Sequence, residues 1–163
     1  MTDDQATRPA VVLERTLDAP PALVWRMWTE PDHFRAWYGP GGSEIPEAVM
    51  DVRVGGQRRI SMTANDGAMR MWFTGEYREV VEQRRLVYTE SMADEHGHVL
   101  SPSELGMPGD HPTTTEVTIE LEDLGGRTRL VLTHAGLPAD SPGAVGWTMA
   151  LDALAAHLGD VAP

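Results

Sequence analysis

From Ala10 onward, apolar residues alternate with polar ones: Val11, Leu13 and Leu17 are interleaved with Val12, Glu14 and Thr16. A period of two predicts a first strand with one buried face. Asp18-Ala19-Pro20-Pro21 ends it, because proline suits a first helical turn and not a ladder, and a helix carrying Leu23, Val24, Met27 and Trp28 follows. Thr29 and Asp32 have the spacing of a capping box, with Pro31 between them, so a second short helix is predicted to run to about Trp37. Gly39-Pro40-Gly41-Gly42 closes that unit as a turn, since it lacks the lysine and hydroxyl residue of a phosphate loop. Six further strands are predicted at 47–54, 57–64, 68–79, 84–92, 114–123 and 127–135. Gly55-Gly56, Asn65-Asp66-Gly67 and Gly125-Gly126 lie between them as tight-turn sequences, so successive strands form hairpins and the sheet is antiparallel.

The last element organises the rest. Ser141 is a suitable N-cap, Pro142 a suitable first helical residue and Gly159 a suitable end for a helix over Ser141 to Leu158. Trp147, Leu151, Leu154 and Leu158 recur at steps of four, three and four on one face, with Val145 beside it, so this stripe must be buried against the strands. Gly146 inside a helix costs about 1 kcal/mol relative to alanine, which suggests close approach of backbone or ligand beside Trp147. Alternation selects the inward residues of the sheet: Met50 and Val52; Ile60 and Met62; Met69, Met71 and Phe73; Leu86, Tyr88 and Glu90; Val117, Ile119 and Leu121; Leu130, Leu132 and His134. Trp72 falls on the opposite parity, and a bulge near Gly75 would bring it inward. The expected class is α+β, a helix-grip sheet of seven strands with two short helices between strands one and two. Residues 1–9 are expected to be a frayed tail and 10–159 a single domain.

The run GEYREVVEQRRLVYTES at 75–91, the turn MDVRVGG at 50–56, the stretch RTLDAPPALVWRMWTEPDHFRAWYGP at 15–40 and the end GWTMALDALAAHL at 146–158 together resemble bacterial proteins akin to the C-terminal domain of the activator of the Hsp90 ATPase. These AHSA1-like chains belong to the START and Bet v 1-like (SRPBCC) superfamily. The resemblance implies a curved antiparallel sheet around the C-terminal helix, often with a hydrophobic cavity between them, and it implies no shared catalytic motif. Glu82 and Gln83 stand where related chains carry one or two prolines before the arginine, a change confined to a hairpin turn.

Charge narrows the partners. With a formal charge of -12 over 163 residues, phosphate backbones and anionic lipid surfaces are repelled, so nucleic acid and membrane are not expected partners and a ligand should be neutral or cationic. The absence of cysteine removes thiolate chemistry. With no secretory pattern at the start and no apolar run of spanning length, a cytoplasmic location is expected.

Five tryptophans and nine methionines serve core packing, or they wall a pocket for a flat apolar molecule, since thioethers adapt to irregular partners. On the second reading the lining is Trp37, Met62, Met71, Trp72, Phe73, Tyr88, Glu90, Ile119, Leu132, His134, Trp147 and Leu151. Glu90 aims a carboxylate at the interior unless it pairs with an arginine or reaches solvent, and His134 is a satisfied structural histidine or a polar anchor. If Glu90, Tyr88 and His134 converge, acid–base chemistry becomes available. Arg58 and Arg59 read most simply as solvated or paired with carboxylates.

Residues 93–113 form a long Gly-, Pro- and His-rich loop of the kind used as lids. Its His96, His98, His111, Asp94 and Glu95 do not have the spacing of a zinc set, so neither metal nor cofactor is expected. The leading expectation is binding of a small hydrophobic molecule without catalysis. The alternatives are a cyclase- or hydrolase-type enzyme on the same cavity and a chaperone-linked partner module, and the alanine-rich back of the last helix leaves a homodimer open.

Overall fold

The first two strands of the chain end up on opposite edges of one sheet. In the computed structural model, which describes residues 9–39, 43–64, 67–106 and 112–161, the order is β1 (Ala10–Leu17), α1 (Pro21–Thr29), α2 (Pro31–Trp37), β2 (Glu44–Met50), β3 (Gln57–Ala64), β4 (Met69–Val81), β5 (Arg85–Ala93), β6 (Thr114–Asp123), β7 (Thr128–Ala135) and α3 (Pro142–Val161). All seven strands are paired antiparallel in the spatial order β1-β7-β6-β5-β4-β3-β2. Edge to edge, six spacings of about 4.8 Å make about 29 Å. No hairpin spans that, and α1 with α2 carries the chain across. The curved sheet and its two small helices hold α3, which matches the Bet v 1-like helix-grip fold.

On α3, Trp147, Leu151, Leu154 and Leu158 are all buried, joined by Ala150. Val145 lies off this stripe and faces solvent. Of the two expected helix ends, the start agrees with the structure and the finish does not. Pro142 is the first helical residue and Ser141 precedes it, its hydroxyl donating to the Pro138 carbonyl at 2.6 Å, while at the other end the helix passes through Gly159 to Val161. Gly159 adopts no left-handed conformation because the chain continues as helix. Nor does the expected capping box form, since the Thr29 hydroxyl donates back to the Trp25 carbonyl at 2.8 Å and the N-cap of α2 is Glu30, without a side-chain cap.

Strand β2 begins earlier than expected and ends earlier, at Glu44–Met50 in place of 47–54, because a register shift between Glu44 and Glu47 accommodates the bend around Pro46 and residues 51–56 are spent on the turn into β3. A Cβ on Gly56 would overlap the Asp51 carbonyl, so this turn requires glycine. In β4 the irregularity lies between Tyr77 and Glu79, past Gly75, and therefore does not reverse Trp72. Met71 is opposite Met62 and Phe73 opposite Ile60 on the helix side, while Trp72 is flanked by Ser61 and Ala93 on the other face, with the Arg70 guanidinium 5.5 Å from its ring.

The long segment after β5 is more ordered than expected. Ala93 bridges Val99, Leu100 donates to the Met92 carbonyl, and Asp94 Oδ1 accepts the amides of His96 and His98 at 2.8 and 3.0 Å. Of the expectations above, those for the first eight residues, for 40–42, for Asn65-Asp66 and for His111 fall outside the described residues. No described helix is long and apolar enough to cross a membrane.

Gly146 contradicts its expected role, since a Cβ there would meet nothing within 4 Å. Gly146→Ala should therefore stabilise the protein by up to about 1 kcal/mol through helix propensity alone. Urea denaturation with an unchanged m-value and a higher midpoint is the expected result, and a lower midpoint would show that the glycine has a packing role.

Candidate functional site

A charged pair lies beneath the helices. Arg58 shares strand parity with Ile60 and Met62, so β3 points it to the helix side, where it is only 2% exposed. From β5, Leu86, Tyr88 and Glu90 point the same way, and Glu90 is 8% exposed. The Arg58 guanidinium sits 3.9 Å over the Tyr88 ring and 5.4 Å from the Phe34 ring of α2. Its Nη1 is 3.6 Å from Glu90 Oε2, an ion pair too long for a hydrogen bond. Arg58 faces Gly75 across the β3–β4 ladder, and Gly75 has to be glycine because a Cβ there would overlap the Thr89 carbonyl of β5. Tyr77 sits opposite Tyr88 with ring centroids 6.0 Å apart, edge to face.

These groups are buried with polar atoms unspent. Arg58 Nε, Glu90 Oε2 and the hydroxyls of Tyr77 and Tyr88 have no hydrogen-bond partner of good geometry, although Arg58 lies near enough to the Tyr77 hydroxyl to pull its pKa down against burial, and Trp28 Nε1 is likewise unpartnered. Leaving such a group unpaired costs about 1–3 kcal/mol each. Burial raises the pKa of the Tyr88 hydroxyl, with Glu90 adding to the shift and Arg58 opposing it. Burial likewise raises Tyr77, against Arg58, and Tyr38, where Glu90 adds. All three phenols therefore keep their protons and can donate. Burial works against the charge on Arg58, yet its surroundings hold it above the ordinary guanidinium value, so it is a fixed cation.

His134 is spoken for at both ring nitrogens. Trp147 Nε1–H donates to His134 Nδ1 at 2.8 Å, which leaves the ring proton on Nε2, directed at Thr115 Oγ1 2.7 Å away. That hydroxyl donates in turn to the Glu90 carbonyl at 3.2 Å. His134 thus ties α3 to the sheet and meets Glu90 only through its main chain. The acid–base convergence of Glu90, Tyr88 and His134 does not form.

The remaining expected lining residues divide into three groups. Ile119 and Leu132 of the sheet and Leu151 of α3 are fully buried, and Trp37 packs edge-on to Trp28 with its N–H on the Met27 carbonyl at 3.0 Å. Met62 and Trp147 are buried, and Met71 and Phe73, on the helix side of β4, are only half-buried. Trp72 is excluded by its face. Two surface concavities of about 410 and 420 Å³ lie elsewhere, the first between α2 and α3 with Tyr38 in its wall, the second beside the β4–β5 turn. Sequence reasoning missed Arg58, although its parity with Ile60 and Met62 was the available signal. Among the described residues no group of three or more metal-capable side chains occurs.

Burial holds the pKa of His134 below its ordinary value of 6.5, with Glu90 acting in the opposite direction. The unfolded chain therefore takes up this proton first as pH falls, and stability is complete above about pH 6.5 and declines below it. His134→Gln should flatten that decline by up to about 1.4 kcal/mol per pH unit in unfolding measured between pH 7 and 5; an unchanged slope would refute the assignment. Arg58→Met should destabilise by about 3–5 kcal/mol because it strands the Glu90 carboxylate. The double variant Arg58→Met/Glu90→Leu should recover part of that loss in the same urea titration, and no recovery would mean that the two charges are not coupled.

Over residues 18–159 the chain matches the family model described as Activator of Hsp90 ATPase homolog 1-like protein. Among solved structures it is similar to protein CV1439 from Chromobacterium violaceum, 28% identical over 90% of this chain and 94% of that one, with a TM-score of 0.74. It is also similar to the AHSA1 protein from Silicibacter pomeroyi, at 23% identity over 92% and 97% of the two chains and a TM-score of 0.74. A protein from Arthrobacter aurescens, 22% identical over 94% of this chain and 87% of its own, has the same fold at a TM-score of 0.77. No curated protein matches the chain. The family match takes in both short helices, six of the seven strands and nearly all of the gripped helix, and on that basis the chain belongs to the Activator of Hsp90 ATPase homolog 1-like family.

Proposed function

We propose that the protein binds a small apolar or aromatic molecule between the inner face of β3–β5 and the helices that cover it. One observation carries the reading: four buried polar atoms, Arg58 Nε, Glu90 Oε2 and the Tyr77 and Tyr88 hydroxyls, lie on adjacent strands without partners. Natural interiors satisfy such groups, and a bound molecule would satisfy these. The apolar body would rest on Met71 and Phe73, two helix-side residues of β4 that the core leaves half-covered. Methionine suits such a wall because its unbranched thioether adapts to the shape beside it. Turnover is a weaker reading, since the histidine that a general acid–base scheme would use already holds Trp147 and Thr115.

Neighbouring residues on opposite faces of β4 supply the test. Binding of 2-naphthol, followed by quenching of tryptophan fluorescence and by a rise in Tm, should be saturable. Met71→Ala should weaken it about tenfold, as expected for roughly 1.4 kcal/mol of lost apolar contact, while Trp72→Ala should leave it unchanged. Equal effects of the two substitutions, or no saturable binding, would defeat the reading.

A further inference from the structure

We propose that the molecule held at this site is electrically neutral and presents a head that both donates and accepts a hydrogen bond, such as a phenol, an alcohol or a primary carboxamide. The inference rests on the binding reading above and adds the chemistry of the ligand's polar end.

The unspent atoms are of two kinds. Arg58 Nε can only donate and Glu90 Oε2 can only accept, whereas the Tyr77 and Tyr88 hydroxyls do either. A hydrocarbon would satisfy none of them. A ketone or ether would take a bond from Arg58 or a tyrosine and leave Glu90 Oε2 unpaired. A head with one donor and one acceptor answers both ends of the pair.

Charge excludes the ionic alternatives. Arg58 and Glu90 are 3.6 Å apart and cancel formally, and both are deeply buried, where an extra uncompensated charge is costly. A carboxylate head would meet Arg58 and also the like charge of Glu90; an ammonium head would meet Glu90 and also Arg58. The Tyr88 ring stacked under the guanidinium at 3.9 Å already occupies one face of the cation. Because the ion pair is too long to be a hydrogen bond, both partners keep capacity for a neutral third group between or beside them.

Calorimetric titration of the full chain at pH 7.5 with four probes of one shape tests this: 2-naphthol, 2-methylnaphthalene, 2-naphthoate and protonated 2-naphthylmethylamine. The expected order places 2-naphthol at least tenfold tighter than each of the others. Tyr88→Phe should cut 2-naphthol affinity several-fold with 2-methylnaphthalene unmoved. Glu90→Gln, which keeps the shape and removes the negative charge, should narrow the gap between 2-naphthol and 2-naphthoate by about tenfold. Circular dichroism checks that each variant is folded, and the wild-type order alone is sufficient to decide should either variant fail. Four equal affinities would overturn the head-group inference and leave the binding reading standing. Tightest binding by 2-naphthoate or by the amine would overturn neutrality. No binding by any probe would overturn both inferences and assign the unspent atoms to buried water.

Discussion

Burial of one stripe of α3 against a curved sheet is the interaction on which everything else depends. Trp147, Leu151, Leu154 and Leu158 have almost no exposed surface, and burying a large apolar side chain is worth about 1.5–3 kcal/mol. In a folded protein most of a helix's stability comes from packing its apolar face and not from propensity, so the alanines on the far side of α3 add less than this stripe does. The sheet needs it equally, because a single antiparallel layer has a face to cover. Trp147 reinforces the grip with a polar bond, its indole N–H on His134, so the helix is held in rotation as well as in place.

The sheet's order turns that contact into a site. With β1 and β2 on opposite edges, α1 and α2 must cross the same face that α3 covers, and the crossing lays Phe34 over Arg58 and Tyr38 against Trp147. Three helices thus enclose an aromatic cluster in which Trp28, Phe34, Trp37, Tyr38 and Trp147 touch edge to face or stacked. Next to the cluster lies a feature that hydrophobic packing alone would not choose, a guanidinium and a carboxylate facing each other on strands separated by β4. A well-packed apolar pair is often as stable as a buried ion pair. Its presence beside unspent tyrosine hydroxyls therefore points to recognition more than to stability.

Much of the outer surface does the opposite with its charges. Arg85 bonds Glu79 and Glu120, and Arg129 bonds Glu14 and Glu122, all at hydrogen-bond distance across neighbouring strands. These exposed pairs contribute little each, but they occupy cations that would otherwise be free, in a chain of strongly negative charge. Arg58 differs from them in depth and in being left with an unpaired Nε.

Local periodicity alone determined the elements, the antiparallel pairing and the buried stripe of α3, because a period of two or 3.6 and glycine-bearing turns are local properties of the chain. The inward parity of Tyr88, Glu90 and His134 was legible for the same reason, and so, in principle, was that of Arg58. Tertiary structure decided what local pattern cannot contain. Thr29 closes α1 and does not open α2, because α2 starts at Pro31 with Glu30 in the flanking position, and the Thr29 hydroxyl donates to the Trp25 carbonyl. Trp72 stayed outside because the bulge falls after Gly75. His134 became a structural ligand of Trp147, and Arg58 a partner of Glu90, because only the folded sheet sets β7 against α3 and brings β3 within a few ångströms of β5. Parity along a strand states which way a side chain points; what it meets there depends on strands and helices far away in sequence.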